Sequence, residues 1–296
     1  MKIVLVSSAV PFVRGGARFI VDWLEPKLRE AGHEVERFYL PFVDDPDVLL
    51  DQIAAFRLIN LSDVCDRVIC FRPPSYVIQH PRKVLWFIHH LRVFYDLWES
   101  EYRPQTRGVD ALRKALIDLD TVALGEAQRI FTNSQVVADR LKRFNNLDAT
   151  PLYPPIADSG RFRNAGEGDE IVAISRIEPH KRQHLLVEAM KYVQTPVRLR
   201  LCGQSAVDSY SREMRRTIRE HNLDKRITLE DRWINEDEKV ERLSTALAVA
   251  YLPFDEDSYG YPSLEAAHSR KAVLTTSDAG GTLELVQNGR NGFVLP

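Results

Sequence analysis

Short apolar runs and amphipathic segments alternate along most of the chain. The runs are rich in Val, Ile, Leu and aromatic residues and lack a polar face, as in KIVLVS, KVLWFIHH and EIVAIS. Such runs are typical of parallel strands that are buried on both faces of a sheet. The segments between them place apolar residues three or four positions apart, as Ile20, Trp23 and Leu24 are placed, and this predicts helices. Strands that alternate with helices indicate an α/β fold with parallel sheets.

The alternation is interrupted in the segment ATPLYPPIADSGRFRNAGEGDE. This segment holds three prolines, several glycines and scattered charge, a composition typical of an interdomain linker. A chain of 296 residues is expected to hold about two domains. We therefore predict two Rossmann-like domains, residues 1–165 and residues 166–296, with the boundary near Ala165.

Composition and charge narrow the class of protein. Charged residues make up 28% of the chain and its net charge is −2, with neither half enriched in basic residues, so no surface for nucleic acid is predicted. Cys65, Cys70 and Cys202 lie in or beside apolar runs and are expected to be reduced core thiols of a cytoplasmic protein. The N-terminal MKIVLVSSAVPF lacks the pattern of a signal peptide, and no apolar stretch approaches the ~20 residues of a membrane span.

The strongest candidate for a ligand site is the stretch from Ala248 to Thr276. It predicts a strand VAYLPF, a loop DEDSYGYP, a helix that begins at Pro262, and a second strand AVLTT. Proline suits the first position of a helix, because its missing N–H would have no partner there. Open α/β sheets bind ligands at the carboxyl ends of their strands. The sequence therefore predicts a ligand site in this loop.

The first turn of the predicted helix is suited to an anion. The backbone N–H groups of Ser263 and Leu264 are expected to be unpaired and to lie at the positive end of the helix dipole. Asp257 and Glu265 frame this turn, and Gly260 between them lets a ligand approach the backbone closely. These features predict a diphosphate site.

Several motifs resemble those of one enzyme family. The run D-S-Y-G-Y-P-S-L-E, from Asp257 to Glu265, resembles the E-x7-E motif of family GT4 (group 1), the retaining glycosyltransferases of GT-B fold, with Asp257 where that family usually has Glu. The run S-R-I-x-P-x-K-R, which contains Arg176 and Lys181, resembles the donor loop of the same family. FTNSQVVADRL resembles the last unit of the family's N-terminal domain, and the resemblance extends over nearly the whole chain.

The resemblance implies a fold and an activity. The fold is a pair of Rossmann-like domains that face a cleft. The activity is transfer of a hexose from a UDP- or GDP-linked sugar to a hydroxyl acceptor, with retention at the anomeric carbon. The acceptor implied is a glycan, a lipid-linked molecule or a small molecule. No metal ion or further cofactor is implied, because Arg176, Lys181 and the helix terminus supply the positive field that a leaving diphosphate needs.

The resemblance also implies roles for individual residues of the second domain. Arg176 and Lys181 contact the donor diphosphate, whose negative charge grows as the glycosidic bond breaks. Glu265 holds the ribose hydroxyls, and Asp257 holds the hydroxyls of the donor sugar. The other positions implied to contact the nucleotide or the sugar are Gly203, Arg232, Tyr259, Gly260, Ser263 and Leu264.

Fewer residues of the first domain are implicated. His89, at the end of KVLWFIHH, matches a family histidine that hydrogen-bonds the donor sugar, and His90 is the spare. Without the resemblance, a partly buried structural imidazole would explain this histidine. Gly15 and Gly16 match two glycines whose amides face the interdomain cleft, although a plain tight turn explains them about as well.

Two aromatic features allow two interpretations each. In LRVFYDLWESEYRP, the side chains of Arg92, Tyr95 and Trp98 either contact the acceptor or form the apolar stripe of an ordinary surface helix. Trp233 either stacks on the nucleotide base or packs between the domains.

Other functions fit the same architecture. The chain stops at Pro296, where GT4 proteins continue with helices that cross back to the first domain, so we expect a C-terminally truncated protein. Such a protein could be a nucleotide-sugar-binding subunit or an inactive partner. A nucleotide-sugar 2-epimerase shares the architecture but would need catalytic acids from both domains. Peripheral contact with the inner face of a membrane stays open, because many relatives in the family touch membranes.

Overall fold

The computed structural model describes residues 1–9, 16–100, 103–104, 106–205 and 207–296. They form two compact units, Met1–Ala157 and Asp158–Pro296. Each unit contains a six-stranded sheet in which neighbouring strands are parallel, with α-helices in the connections. The predicted α/β class with two Rossmann-like halves is confirmed.

The first unit follows the predicted alternation of strands and helices. Its strands are β1 (Lys2–Ala9), β2 (Glu34–Pro41), β3 (Arg67–Cys70), β4 (Lys83–Phe87), β5 (Arg129–Thr132) and β6 (Thr150–Pro151). Its α-helices are α1 (Gly16–Glu30), α2 (Leu49–Arg57), α3 (Val109–Gly125) and α4 (Gln135–Asn145). In the sheet the strand order is β2-β1-β3-β4-β5-β6.

Strand β1 shows why the apolar runs lack a polar face. Val4 and Val6 belong to one core cluster of the first unit, and Ile3 and Leu5 belong to another. Successive side chains of a strand point to opposite faces of the sheet. Both faces of β1 are therefore covered, and a polar residue on either face would be buried without water. The cores of the two units also hold the three cysteines as buried free thiols, as predicted.

The second unit has a sheet whose order reverses in the middle. Its strands are β7 (Glu170–Ile174), β8 (Arg198–Gly203), β9 (Ile227–Asp231), β10 (Ala248–Ala250), β11 (Val273–Thr276) and β12 (Gly292–Leu295). Its α-helices are α5 (Gln183–Met190), α6 (Asp208–Glu220), α7 (Glu236–Thr245) and α8 (Tyr261–His268). The order β12-β11-β10-β7-β8-β9 places β7 next to both β8 and β10.

The segment that follows Asp158 is attached to the second unit. The N–H of Ala165 donates to the carbonyl of Ser244 (2.9 Å), and Nζ of Lys271 donates to Oδ1 of Asn164 (3.1 Å). The two compact units accordingly divide between residues 157 and 158, inside the proline- and glycine-rich segment from which we predict a linker. The acceptor-side and donor-side roles of the two domains stay predictions.

Two predicted elements differ from the structure. VAYLPF predicts a longer strand, but β10 ends at Ala250, and by Phe254 the backbone N–H pairs with the carbonyl of His180 (2.8 Å) instead of a strand. LRVFYDLWESEYRP contains a 3₁₀ turn over Arg92–Phe94 in its described part, so the prediction of a surface α-helix is wrong. The physical reason is burial: Tyr95 is 2% exposed and packs in the core of the first unit.

Candidate functional site

The carboxyl ends of β7 and β10 lie side by side in the middle of the second sheet. From β7 the chain moves outward to β8 and β9, and it then returns to the other side of β7 to form β10, β11 and β12. Open α/β sheets bind their ligands at such a reversal of strand order. The loops that follow these two strands, residues 175–182 and residues 251–260, carry the two motifs of the candidate donor site.

Lys181 joins the two loops. Its Nζ donates to the hydroxyl of Tyr251 (3.0 Å) and forms an ion pair with Glu256. The Tyr251 hydroxyl in turn donates to Oε2 of Glu256 (2.5 Å). Burial and the nearby Glu256 carboxylate raise the pKa of Tyr251 well above its usual range, so the phenol keeps its proton. An ammonium group has three N–H donors, and the third donor of Lys181 suits an oxygen of an anionic ligand.

Gly260 brings this cluster to the start of helix α8. The backbone of Gly260 has a φ of 68°, and a Cβ at this position would lie 2.4 Å from Cε1 and 3.0 Å from the hydroxyl of Tyr251. The Tyr251 ring therefore lies directly against Gly260, with its hydroxyl bonded to Lys181. Gly260 is the N-cap of α8, so the structure brings the cation of the first motif to the helix terminus of the second.

The first turn of α8 differs by one residue from the prediction. The helix begins at Tyr261, and the N–H of Leu264 donates to the carbonyl of Gly260 (3.3 Å). The prediction that the Leu264 amide is unpaired is therefore wrong, because the helix starts one residue earlier than Pro262. Ser263 lies within the first turn, where an N–H has no acceptor inside the helix. Its side chain is fully buried, and its Oγ has no hydrogen-bond partner in the described part of the chain.

Glu265 is a buried carboxylate on the first turns of α8. The residue is 6% exposed, and Nζ of Lys239 on α7 donates to its Oε1 (2.6 Å). Burial raises the pKa of Glu265, and the Lys239 ammonium opposes that rise. Sequence reasoning missed Lys239, since nothing in the local pattern of α7 indicates that it reaches another helix.

Arg176 lies in the loop after β7, and its guanidinium forms an ion pair with a carboxylate of the same loop. Its side chain is 57% exposed, and Nη2 lies 3.0 Å from Oε1 of Glu178. Burial raises the pKa of the Glu178 carboxyl, and the charges of Arg176 and Lys181 oppose that rise. The loop thus presents two cations, one exposed and one held by Tyr251 and Glu256.

Arg182 connects the loop after β10 to the end of β11 and was missed as a site residue. Its guanidinium donates to the carbonyls of Leu252 (2.9 Å) and Pro253 (3.0 Å), to Thr276 and to the carboxylate of Asp278. The Arg182 hydrogen bonds hold the pKa of Asp278 down at about 2. The sequence could have identified Arg182, because it directly follows Lys181 as the last residue of the motif S-R-I-x-P-x-K-R.

The other predicted positions of the second unit lie at the same edge of the sheet. Asp257 is partly exposed and Tyr259 is buried, both in the loop after β10. Gly203 ends β8 with a φ of 151°, and a Cβ there would lie 1.8 Å from the carbonyl oxygen of Ser175, so the loops after β7 and β8 touch. Arg232, just after β9, is engaged by Glu230 and Glu238.

The predicted residues of the first unit are placed as follows. His89 follows β4 and is partly exposed, with Nδ1 2.6 Å from the carbonyl oxygen of His90. A carbonyl only accepts, so Nδ1 is the donor in this contact. His90 is buried, stacks on Tyr95 and bonds Asn145 through Nε2 (2.8 Å). Gly16 is the first residue of α1, and Gly15 lies outside the described residues.

Neither a metal cluster nor a membrane-spanning helix is found among the described residues. Within the described ranges, no group of three or more His, Cys, Asp or Glu side chains is arranged to hold a metal ion. No helix in that part of the chain is both long enough and apolar enough to cross a membrane. Trp233, for which stacking on the base and packing between the domains are the two interpretations, is 57% exposed.

One protein family matches the second unit. Residues 158–296 match the family described as glycosyl transferases group 1. The matched range coincides with the compact unit Asp158–Pro296. No curated protein sequence matches the chain.

Solved structures resemble the whole chain. HepE of Anabaena, in complex with UDP and glucose, is 18% identical with a TM-score of 0.67, over 99% of this chain and 85% of HepE. The lipopolysaccharide outer core galactosyltransferase WaaB, in its apo form, is 14% identical with a TM-score of 0.70, over 99% and 85% of the two chains. The catalytic domain of starch synthase IV from Arabidopsis thaliana, bound to ADP and acarbose, is 12% identical with a TM-score of 0.69, over 99% and 88%. These similarities extend the shared fold to both units.

Proposed function

The second unit of the chain belongs to the group 1 glycosyltransferases, and from this premise we propose that the protein is a retaining glycosyltransferase of the GT4 type. It transfers a hexose from a UDP- or GDP-linked sugar to a hydroxyl acceptor. The observation that carries the proposal is the chain of contacts Lys181–Tyr251–Gly260 at the reversal of strand order. It brings a cation to the amino end of a helix, which is the combination that a diphosphate needs.

The roles that we propose for the site residues are those that the family resemblance implies. Lys181, with one N–H donor left, and the exposed Arg176 bind the diphosphate and offset the charge that grows on it as the sugar leaves. The amide of Ser263 donates to the same group. Glu265 accepts from the ribose hydroxyls, and Asp257 accepts from the hydroxyls of the sugar. The remaining donor contacts proposed are those of Gly203, Arg232, Tyr259 and Gly260.

The first unit is proposed to contribute the acceptor side. His89 hydrogen-bonds a hydroxyl of the donor sugar, the role that the family resemblance implies for it. Gly15 and Gly16 provide backbone amides near the phosphates or the acceptor. The reaction needs no metal ion or other cofactor, because the cations and the helix terminus balance the leaving group.

The ligands of similar structures support the choice of substrates. The HepE structure holds UDP and glucose, and the starch synthase IV structure holds ADP and acarbose. We propose a nucleotide-linked hexose as donor and a glycan or lipid-linked molecule as acceptor. The protein is proposed to work in the cytoplasm, with peripheral contact to the membrane where its acceptor is lipid-linked.

The proposal is tested by turnover and binding. The protein is incubated with UDP-, GDP- and ADP-linked hexoses and a panel of glycan and lipid-linked acceptors, and free nucleotide and transferred sugar are measured. Release of nucleotide with sugar transfer supports the transferase. An isomerised donor would instead identify a 2-epimerase, and nucleotide-sugar binding without turnover would identify a binding subunit.

Two variants test the donor site by calorimetry. Lys181→Ala and Glu265→Ala should each weaken binding of the best nucleotide sugar by about tenfold or more, since each removes a charged hydrogen-bond partner. Lys191→Ala is the matched control, because Lys191 pairs with Glu188 on α5 (2.5 Å), away from the motif loops in sequence. Unchanged affinity in both site variants would refute the donor site.

A further inference from the structure

Helix α7 supplies a cation to helix α8 inside the second unit. Nζ of Lys239 lies 2.6 Å from Oε1 of Glu265 and 2.9 Å from Oε1 of Glu236. The Lys239 side chain is only 12% exposed. The contact joins residues 26 positions apart in the chain, and no role in ligand binding follows for Lys239 from the motifs.

The Lys239 ammonium favours the ionised form of Glu265. A carboxylate removed from water is disfavoured unless a partner charge or hydrogen bond compensates. Burial raises the pKa of Glu265, the negative charge of Glu236 raises it further, and Lys239 opposes both. The tyrosine packed nearby, Tyr261, is held protonated because burial raises its pKa. Among the described residues, Lys239 is therefore the cation that contacts Glu265.

The contact also fixes which oxygen is left for a ligand. Lys239 binds Oε1, and the described residues offer Oε2 of Glu265 no hydrogen-bond partner. An ionised carboxylate only accepts hydrogen bonds, and ribose hydroxyls donate them. A protonated carboxyl would present one donor in place of an acceptor and would bind the hydroxyls less well.

We propose that Lys239 is a positioning residue of the nucleotide site, which holds Glu265 ionised and directs Oε2 to the ribose hydroxyls. The inference rests on the proposed function, because it takes the ligand of Glu265 to be the ribose of a nucleotide. Lys239 itself does not touch the ligand. Its effect on binding is therefore transmitted through the ribose hydroxyls, and it is largest where Glu265 would otherwise take up a proton.

The experiment compares a nucleotide with its counterpart that lacks the ribose hydroxyls. Affinities are measured by calorimetry for whichever of UDP, GDP and ADP the wild-type protein binds most tightly, and for the 2′,3′-dideoxy form of the same nucleotide. The variants are Lys239→Met, which keeps the chain length without the charge, and Lys239→Arg, which keeps the charge. Lys191→Met is the control, since Lys191 forms its ion pair with Glu188 of α5 and not with a residue of the nucleotide site.

Lys239→Met should weaken binding of the ribonucleotide about tenfold near pH 7 and leave the dideoxy form within about twofold of wild type. The loss should grow as the pH is lowered from about 8 to about 5.5, because Glu265 of the variant takes up a proton at a higher pH. Lys239→Arg should restore most of the affinity, and Glu236→Gln should shift the pH dependence in the opposite direction. Lys191→Met should match wild type.

Equal losses for the two nucleotides would overturn the proposal, because a merely structural role of the ion pair would affect both. A pH-independent loss would also overturn it. If Lys239→Met does not fold, Lys239→Gln is used, which keeps a hydrogen-bond donor without the charge and should show the same nucleotide difference. Failure of the wild-type protein to bind any of the three nucleotides would refute the proposed function as well, so the two failures are distinguishable.

Discussion

Gly260 meets two requirements at once, a left-handed backbone and contact with the Tyr251 ring. Its φ is 68°, and a Cβ would lie 2.4 Å from Cε1 of Tyr251. Alanine would have to adopt a strained conformation and also displace the ring that holds Lys181. We expect Gly260→Ala to lower the free energy of unfolding by about 2 kcal/mol or more and to weaken nucleotide binding. Urea denaturation and calorimetry measure the two effects.

Gly108 provides a control for this substitution. It has a φ of 72°, but no atom lies within 4 Å of the Cβ it would carry. Gly108→Ala therefore has only the backbone cost, about 1 kcal/mol, and should leave nucleotide binding unchanged. Equal destabilisation by the two substitutions would show that the Tyr251 contact does not matter.

At the scale of elements, one side chain holds the loops that follow β10 and β11. Arg182 donates to Leu252, Pro253 and Asp278, yet its own backbone has a left-handed φ of 52°. We expect Arg182→Ala to lower the free energy of unfolding by about 2–3 kcal/mol, because buried carbonyls and a carboxylate lose their donor. Nucleotide binding should weaken as well, since the loop after β10 carries Glu256 and Asp257.

A second substitution separates the effect of the Arg182 guanidinium from that of the left-handed backbone at this position. Arg182→Gly removes the same guanidinium but tolerates the left-handed backbone, so it should be less destabilising than Arg182→Ala by about 1 kcal/mol. Thermal and urea denaturation of both variants give the difference. A glycine variant less stable than the alanine variant would contradict this account of the backbone.

The local sequence pattern was sufficient to predict the helices and strands, but it was insufficient to predict the contacts between them. The runs around β1 and β4 are apolar because these strands are buried along nearly their whole length, so sequence alone indicates them. The hydrogen bonds of Arg182 span 70 and 96 positions of the chain, and that of Lys239 spans 26. Such contacts depend on strand order, which no local pattern specifies. The start of α8 was predicted one residue too late, because Gly260 is its N-cap and Pro262 is its second residue.

At the scale of the whole chain, the first unit contains a buried acid that makes its stability depend on pH. Asp120 on α3 is fully buried, and its Oδ2 accepts from the hydroxyl of Tyr95 (2.7 Å). Burial raises the pKa of Asp120 to about 7, against the opposing hydrogen bonds from Tyr95 and Tyr76. The folded-state pKa thus lies above that of the unfolded chain, about 4. The stabilising contribution is fully present below the unfolded pKa and is lost as the pH rises to about 7.

The substitution Asp120→Asn tests this dependence. The amide keeps an acceptor for Tyr95 but does not titrate, so the stability of the first unit should vary less between about pH 4 and pH 7 than in wild type. Hydrogen exchange of the β4 amides, corrected for the intrinsic effect of pH, reports on this unit separately. Asp118→Asn, at an exposed position of the same helix, should retain the wild-type profile. Identical profiles for wild type and Asp120→Asn would rule out Asp120 as the source.

The Tyr251 side chain couples the Lys181 ammonium mechanically to the start of helix α8. Its hydroxyl accepts a hydrogen bond from the ammonium, and its ring packs against the backbone at Gly260. The same hydroxyl lies 3.0 Å from the point where a Cβ of Gly260 would stand, so one oxygen atom links the position of the cation to that of the first residue before the helix.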